Sequence, residues 1–281
     1  MKRVLSKNWD DRHFMKATIA FILGGLVAGP MAAECPSQET LRVRLAEVDL
    51  TRAARTARFK QPVPGELHLK ALGNVGKPFS VRDGGRVTGV IVAPVAAEKI
   101  WRAINDEEHH AEGYIPVDYS TVVEGRPRGK DRVLFQYVRR AGIGRWWASR
   151  VFINGRVHEA TKGRIWELYW RDWMDEVDRE LPPIAEVAGK IRPIESSEGS
   201  WMLVPLGESC TLVEEYSLSD PGGAFGVVQA LVAAAAIRDT LKGIVEMALE
   251  HHCDPPSAED FFGPDGKPFS QPEQSDAATA E

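Results

Sequence analysis

Two strand-like runs each carry one charge among apolar neighbours. Strand alternation puts Trp146, Ala148, Arg150 and Phe152 on one face of the first run. It puts Leu212, Glu214, Tyr216 and Leu218 on one face of Thr211–Ser219. A buried charge needs a partner, and removing one member of a buried pair costs about 3–5 kcal/mol. Arg150 and Glu214 are therefore candidates to pair inside an apolar site and meet the polar head of a ligand. The alternative is that the two never meet, with Arg150 at a rim. In an enzyme, Arg150, Glu214 or Tyr216 would be the acid/base groups.

Other residues that could do chemistry are less organised. Glu167, Tyr169 and Arg171 alternate with Trp166, Leu168 and Trp170, so the apolar set is expected to face inward. His109-His110 closes a helical stretch and His251-His252 follows another; both read as solvated helix ends. Adjacent histidines are poorly placed to ligate one metal, and no HExxH or CxxC motif is near, so neither a metal nor a cofactor is expected. There is no G-x-S-x-G and no phosphate loop outside the apolar N-terminal run. Three cysteines, Cys35, Cys210 and Cys253, do not form a disulfide framework. Isolated thiols are expected, with Cys210 and Cys253 the candidates if one bridge forms.

The elements that would position these groups can be read along the chain. Of 281 residues with net charge −5, none form a Lys/Arg block with interleaved aromatics, which argues against nucleic acid as a partner. Ala17–Gly29 is an uncharged apolar run preceded by basic residues and followed by Pro30-Met31-Ala32-Ala33. Its length suits a signal peptide better than the ~20 residues of a membrane span. Residues 1–33 are read as that signal, with Met15 a more usual start, and 34–84 as a helical extension and linker. Gln61-Pro62-Val63-Pro64-Gly65 ends the extension helix, and the stretch to Gly85 is read as loop.

From Gly85 the pattern is strand (Arg86–Pro94), helix (Val95–Asp106), then a run of strands. The strands expected are Val117–Glu124, Arg132–Arg139, Trp147–Asn154, Arg164–Asp172, Lys190–Glu195, Ser200–Leu206 and Thr211–Ser219. Turn signals between them predict an antiparallel meander. A long helix follows within Asp220–Glu250, with Val227, Ala230, Leu231, Ala234, Ile237, Leu241, Ile244, Val245 and Ala248 on one apolar stripe. Residues 85–252 are thus one α+β domain, and 253–281 a Pro/Gly/Asp-rich tail read as disordered.

Three patches within that domain resemble the START-type lipid-binding domains of the helix-grip (SRPBCC) group. VTGVIVAPVAAEKIWRAINDEEHHAEGYIP is similar to the helix-grip opening, and RRAGIGRWWASRVF to the segment with an Ala/Ser-Arg pair. GSWMLVPLGESCTLVEEYSLSDPGGAFGVV is similar to the last two strands and the lead-in to the final helix. Val151 stands where an Asp is usual, and Gly226 where a Pro is usual.

The resemblance implies a curved antiparallel sheet gripping the long C-terminal helix, with a hydrophobic cavity between them for one lipid or sterol. The residues expected at it are Arg150 and Glu214 for a head group, with Trp101, Trp146, Trp166, Tyr216, Ala234, Ile237 and Leu241 as wall and lid. The reading is of an exported periplasmic carrier or sensor touching membranes transiently, rather than an enzyme. The alternatives are a polyketide cyclase/aromatase-type enzyme, or an accessory protein similar to quinone-binding START relatives.

Overall fold

Strands β2 (Arg86–Ala93), β8 (Ser196–Gly207) and β9 (Cys210–Asp220) are each buried along most of their length on both faces. Their sequences are near-continuous apolar runs (VTGVIVA, SWMLVPL, CTLVEEY), as strands covered on two sides require. They lie side by side in a nine-stranded sheet of order β1-β2-β9-β8-β6-β5-β4-β3. The other members are β1 (Phe79–Asp83), β3 (Tyr119–Gly125), β4 (Asp131–Arg139), β5 (Trp146–Val157) and β6 (Trp166–Asp172). The ninth, β7 (Ile191–Pro193), pairs parallel with the start of β5. This computed structural model describes residues 35–52, 65–83, 85–125, 128, 131–139, 146–157, 165–172, 191–193, 196–220 and 226–250. The side chains of β5, β7 and residues 226–232 lie outside the described set.

Two helical layers cover the two faces. On the inner face stand α3 (Ala97–Asn105) and α5 (Gly226–Leu249), which share a core with Ile91, Leu168, Trp201, Leu203 and Val213. On the outer face stand α1 (Gln38–Arg52) and α2 (Gly65–Leu72), which share a second core with Val90, Val92, Met202, Val204 and Leu212. The short α4 (Glu107–His110) continues from α3 and packs on β3. The expected α+β helix-grip architecture is thus present, with an additional layer that the sequence reading treated as linker. Both α2 and β1 fall in the stretch expected to be loop. An eight-residue helix such as GELHLKAL shows too few turns for its periodicity to stand out; Ala71 and His68 nonetheless form its buried side.

The outer layer is tied down covalently. Cys35 and Cys210 form a disulfide with Cα atoms 5.4 Å apart, closing a separation of 175 residues. A loop of that size gives about 5 kcal/mol in the chain-entropy account. This corrects the expectation of isolated thiols and the Cys210–Cys253 candidate, since Cys210 is already bonded. Cys253, residues 1–34 and 53–64, His158, Trp173, His251-His252 and the 253–281 tail lie outside the described residues.

Close approach fixes α5. Ile237, Leu241, Ile244, Val245 and Ala248 are buried as the apolar stripe predicts, while Arg238, Asp239, Lys242 and Glu246 are exposed. Gly89 in β2 leaves room for this helix: a Cβ there would stand 2.6 Å from Leu241 Cδ1. At Gly243 a Cβ would overlap the backbone carbonyl of Tyr114, so the chain following α4 crosses α5 against bare backbone. Tyr114 then donates its hydroxyl proton to Glu250 (2.7 Å). Because neither backbone can yield cheaply, Gly243→Val is expected to destabilise the fold by about 3 kcal/mol, the upper end for overpacking, in urea unfolding.

Candidate functional site

Glu214 and Glu215 are consecutive in β9, so they project to opposite faces of the sheet. Both are buried, at 2% and 7% exposure. Their surroundings separate them. Glu214 Oε1 lies 2.6 Å from Nε2 of His68 on α2, itself 2% exposed, on the outer face. Tyr216 stands on the same face and accepts a hydrogen bond from Arg86 Nη1 (3.0 Å).

The structure therefore corrects the expectation that Glu214 and Tyr216 look toward the C-terminal helix. The grouping of Leu212, Glu214 and Tyr216 on one face is observed, but α1 and α2 cover that face. Nor does the sheet order bring Glu214 beside Arg150. β6 and β8 lie between β9 and β5, a lateral distance of about 14 Å at ~4.8 Å per strand. The side chains of Arg150 and Trp146 lie outside the described residues.

Glu215 is the group that the alternation of β9 places on the inner face. Its register partners are Gly89 in β2 and Trp201 in β8, and Ile237 and Leu241 of α5 pack over Gly89. Its Oε2 is buried without a hydrogen-bond partner. Burial alone raises its pKa well above the ordinary glutamate value. Along the same face follow Ser217 and Ser219, with Ser197 across the strand pair. Their hydroxyls stand 3.4 Å (Ser217–Ser219) and 3.5 Å (Ser197–Ser219) apart. A file of hydroxyls thus runs from the half-buried end of β9 to a buried carboxyl. The sequence signal was the doubled acid in TLVEEYSLS: whichever face was inward, one carboxylate had to be there.

The inner face is not filled evenly. Trp101 is buried and meets Trp166 edge-to-face, with centroids 5.8 Å apart and planes at 82°. Ile237 and Leu241 are buried helix–sheet contacts. Trp166 and Trp170 of β6, by contrast, are only half-buried although they pack against the inner core. Ala233, Ala234, Ala235 and Ala236 are half-buried too, in the turn of α5 just before the packed part. Large rings on the sheet and methyl groups on the helix are where packing stops short.

A buried ion network holds one end of this region. Arg132 on β4 donates through Nε to Glu107 Oε1 (2.8 Å) and through Nη2 to Asn105 Oδ1 (2.8 Å). Asp106 accepts from Arg128 Nη2 (2.7 Å) and bonds His109 Nδ1 (2.8 Å). His110, expected to be solvated, is 5% exposed with Nε2 at 2.9 Å from the Ala103 carbonyl, and burial lowers its pKa. The acidic stretch after α3 is therefore a structural lock between helix and sheet. Among the described residues no cluster of three His, Cys, Asp or Glu could hold a metal ion.

Comparison with solved structures shows the same fold. A STAR-related lipid transfer protein of Xanthomonas axonopodis superposes with a TM-score of 0.50 at 14% identity, over 61% of this chain and 92% of that one. Human StAR-related lipid transfer protein 5 gives 0.51 at 10% identity, over 75% and 99%. The chain thus has the helix-grip fold of START-type proteins. No family model and no curated protein matches the sequence.

Glu215 and His68 generate separate predictions. A carboxyl with a raised folded pKa gives stability that is full below its unfolded pKa and lost as pH rises toward the folded value. Thermal stability is therefore expected to fall from about pH 4.5 upward, and Glu215→Gln to flatten that fall and melt higher than wild type at pH 8. His68→Ala removes the His68 contact from buried Glu214, and is expected to cost about 3 kcal/mol in equilibrium unfolding.

Proposed function

We propose that this protein binds one hydrophobic ligand between the inner face of its sheet and the first half of α5, and carries or senses it without turnover. The observation that carries this reading is the uneven inner face. On β6, Trp166 and Trp170 remain half-buried although Trp166 meets fully packed Trp101, and in α5 Ala233–Ala236 remain half-buried just before fully packed Ile237 and Leu241. An apolar surface inside a fold has no reason to stay uncovered unless something else covers it. Each methylene buried there contributes about 0.8 kcal/mol before ordering costs. Trp101, Ile237 and Leu241 then form the rigid back wall, and Trp166 and Ala234 touch the ligand.

Both superposed structures are lipid transfer proteins, in agreement with a lipid or sterol as cargo. The compartment we propose is the periplasm. The Cys35–Cys210 bridge supports an oxidising location, because such bonds persist outside reducing cytosol. It also ties the chain two residues after the Ala33 cleavage point, so a processed protein would begin with an anchored end. No described helix is long and apolar enough to cross a membrane, and contact with a bilayer during exchange would be peripheral. A second reading is favoured by one observation: a buried carboxyl whose pKa burial raises, such as Glu215, also suits a general acid acting on a hydrophobic substrate.

The test is native mass spectrometry of detergent-free protein, with organic extraction of what is bound and uptake from a lipid and sterol panel. A stoichiometric adduct is expected, and Ala234→Trp is expected to reduce uptake at least tenfold while leaving the fold intact. A folded wild-type protein that arrives empty and takes up nothing would overturn the reading. Conversion of the adduct on incubation would replace carriage with catalysis.

A further inference from the structure

The inner face offers many apolar contacts but one ionisable group among its described residues that forms no hydrogen bond. Glu215 faces Gly89 from β2, Trp201 from β8, and Ile237 and Leu241 of α5 stand over Gly89; none of these titrates. Arg238 and Asp239 of α5 are exposed rather than turned to it. On the other face the neighbouring Glu214 has the matched partner that this position lacks. An unsatisfied buried carboxyl costs stability in the empty protein, so its presence asks for a partner brought from outside. The hydroxyls of Ser217, Ser219 and Ser197 lead to it along the same face.

We propose that Glu215 anchors the head of the cargo, and that this head is an uncharged group able to accept a hydrogen bond, a hydroxyl or a carbonyl. The inference rests on the carrier reading above and narrows its ligand class. A carboxyl held neutral by its surroundings donates one proton to such a group and can accept one back. A carboxylate head would bring a net charge into a site without a described cation, and an ammonium head would need Glu215 ionised where burial opposes ionisation. The hydrophobic body would then lie toward Trp166, Trp170 and the alanines of α5. The site thus separates alcohols, sterols and ketones from fatty acids and amines by charge rather than by shape.

The experiment uses the full chain and four probes of equal length: octadecanol, octadecanoate, octadecylamine and octadecane. Affinities are measured by competition against a fluorescent fatty alcohol at pH 6 and pH 9, for wild type, Glu215→Leu and Glu215→Gln. Wild type is expected to bind octadecanol at least tenfold more tightly than octadecanoate or octadecylamine, and less tightly at pH 9 than at pH 6. Glu215→Leu is expected to bring octadecanol down to the affinity of octadecane, a loss of roughly tenfold for one neutral hydrogen bond. Glu215→Gln, which keeps a donor and an acceptor but cannot ionise, is expected to lose the pH dependence.

Binding of all four probes with no head-group preference, or a preference that survives in Glu215→Leu, overturns the assignment of Glu215 and leaves the carrier reading standing. A preference for octadecylamine also overturns it, because the group would then act as an anion. A folded wild type that binds none of the four sinks both.

Discussion

Burial of β2, β9 and β8 on both faces is the constraint from which the rest of the architecture follows. A strand covered on one side can alternate apolar and polar residues; one covered on both must carry apolar groups throughout or partner each polar group it retains. The protein does both. Val90, Val92, Met202, Val204 and Leu212 would face water without α1 and α2, so the N-terminal layer belongs to the core of the domain. The Cys35–Cys210 bridge and the His68–Glu214 contact fasten that layer at two points on the same strand, β9.

The same constraint sharpens the meaning of the polar residues that remain. On the outer face Glu214 is matched by His68 from a helix that arrives 146 residues earlier in the chain. On the inner face Glu215 is matched by nothing in the described protein. Two chemically identical neighbours thus have opposite status: one closes a structure, the other leaves a demand open. Selection for stability alone would replace the second with an apolar residue, since an unpaired buried carboxyl costs and a well-packed leucine does not.

Around this group the fold divides into a rigid and an incompletely packed part. Gly89 lets Ile237 and Leu241 seat on β2, and Gly243 lets the Tyr114 backbone cross α5 at contact distance. Arg132 binds Glu107 and Asn105, locking the end of α3 to β4. These contacts hold the second half of α5. Before Ile237 the helix carries half-buried alanines, and the Ala234 carbonyl there accepts a hydrogen bond from Ser80 of β1 (3.1 Å). One helix is therefore fully packed at one end and only half-buried before Ile237.

The local signals in the sequence determined the order and kind of most elements. The period-two strands and the stripe of α5 from Ile237 onward lie close to where they were read, because neighbours in sequence decide those patterns. The parity of β9 was legible too: Leu212, Glu214 and Tyr216 do share a face. Only tertiary structure decided which face that was, because α1 and α2 cover it from far away in the chain. The uninterrupted apolar runs of β2, β8 and β9 were the available sign that both sides are buried. The pairing of Cys35 with Cys210, the burial of His110 and the parallel docking of β7 likewise depend on contacts between distant segments. The candidate site moved by one residue, from Glu214 to Glu215, for that reason: alternation determines which residues go together, and the layer that packs on them determines which way is in.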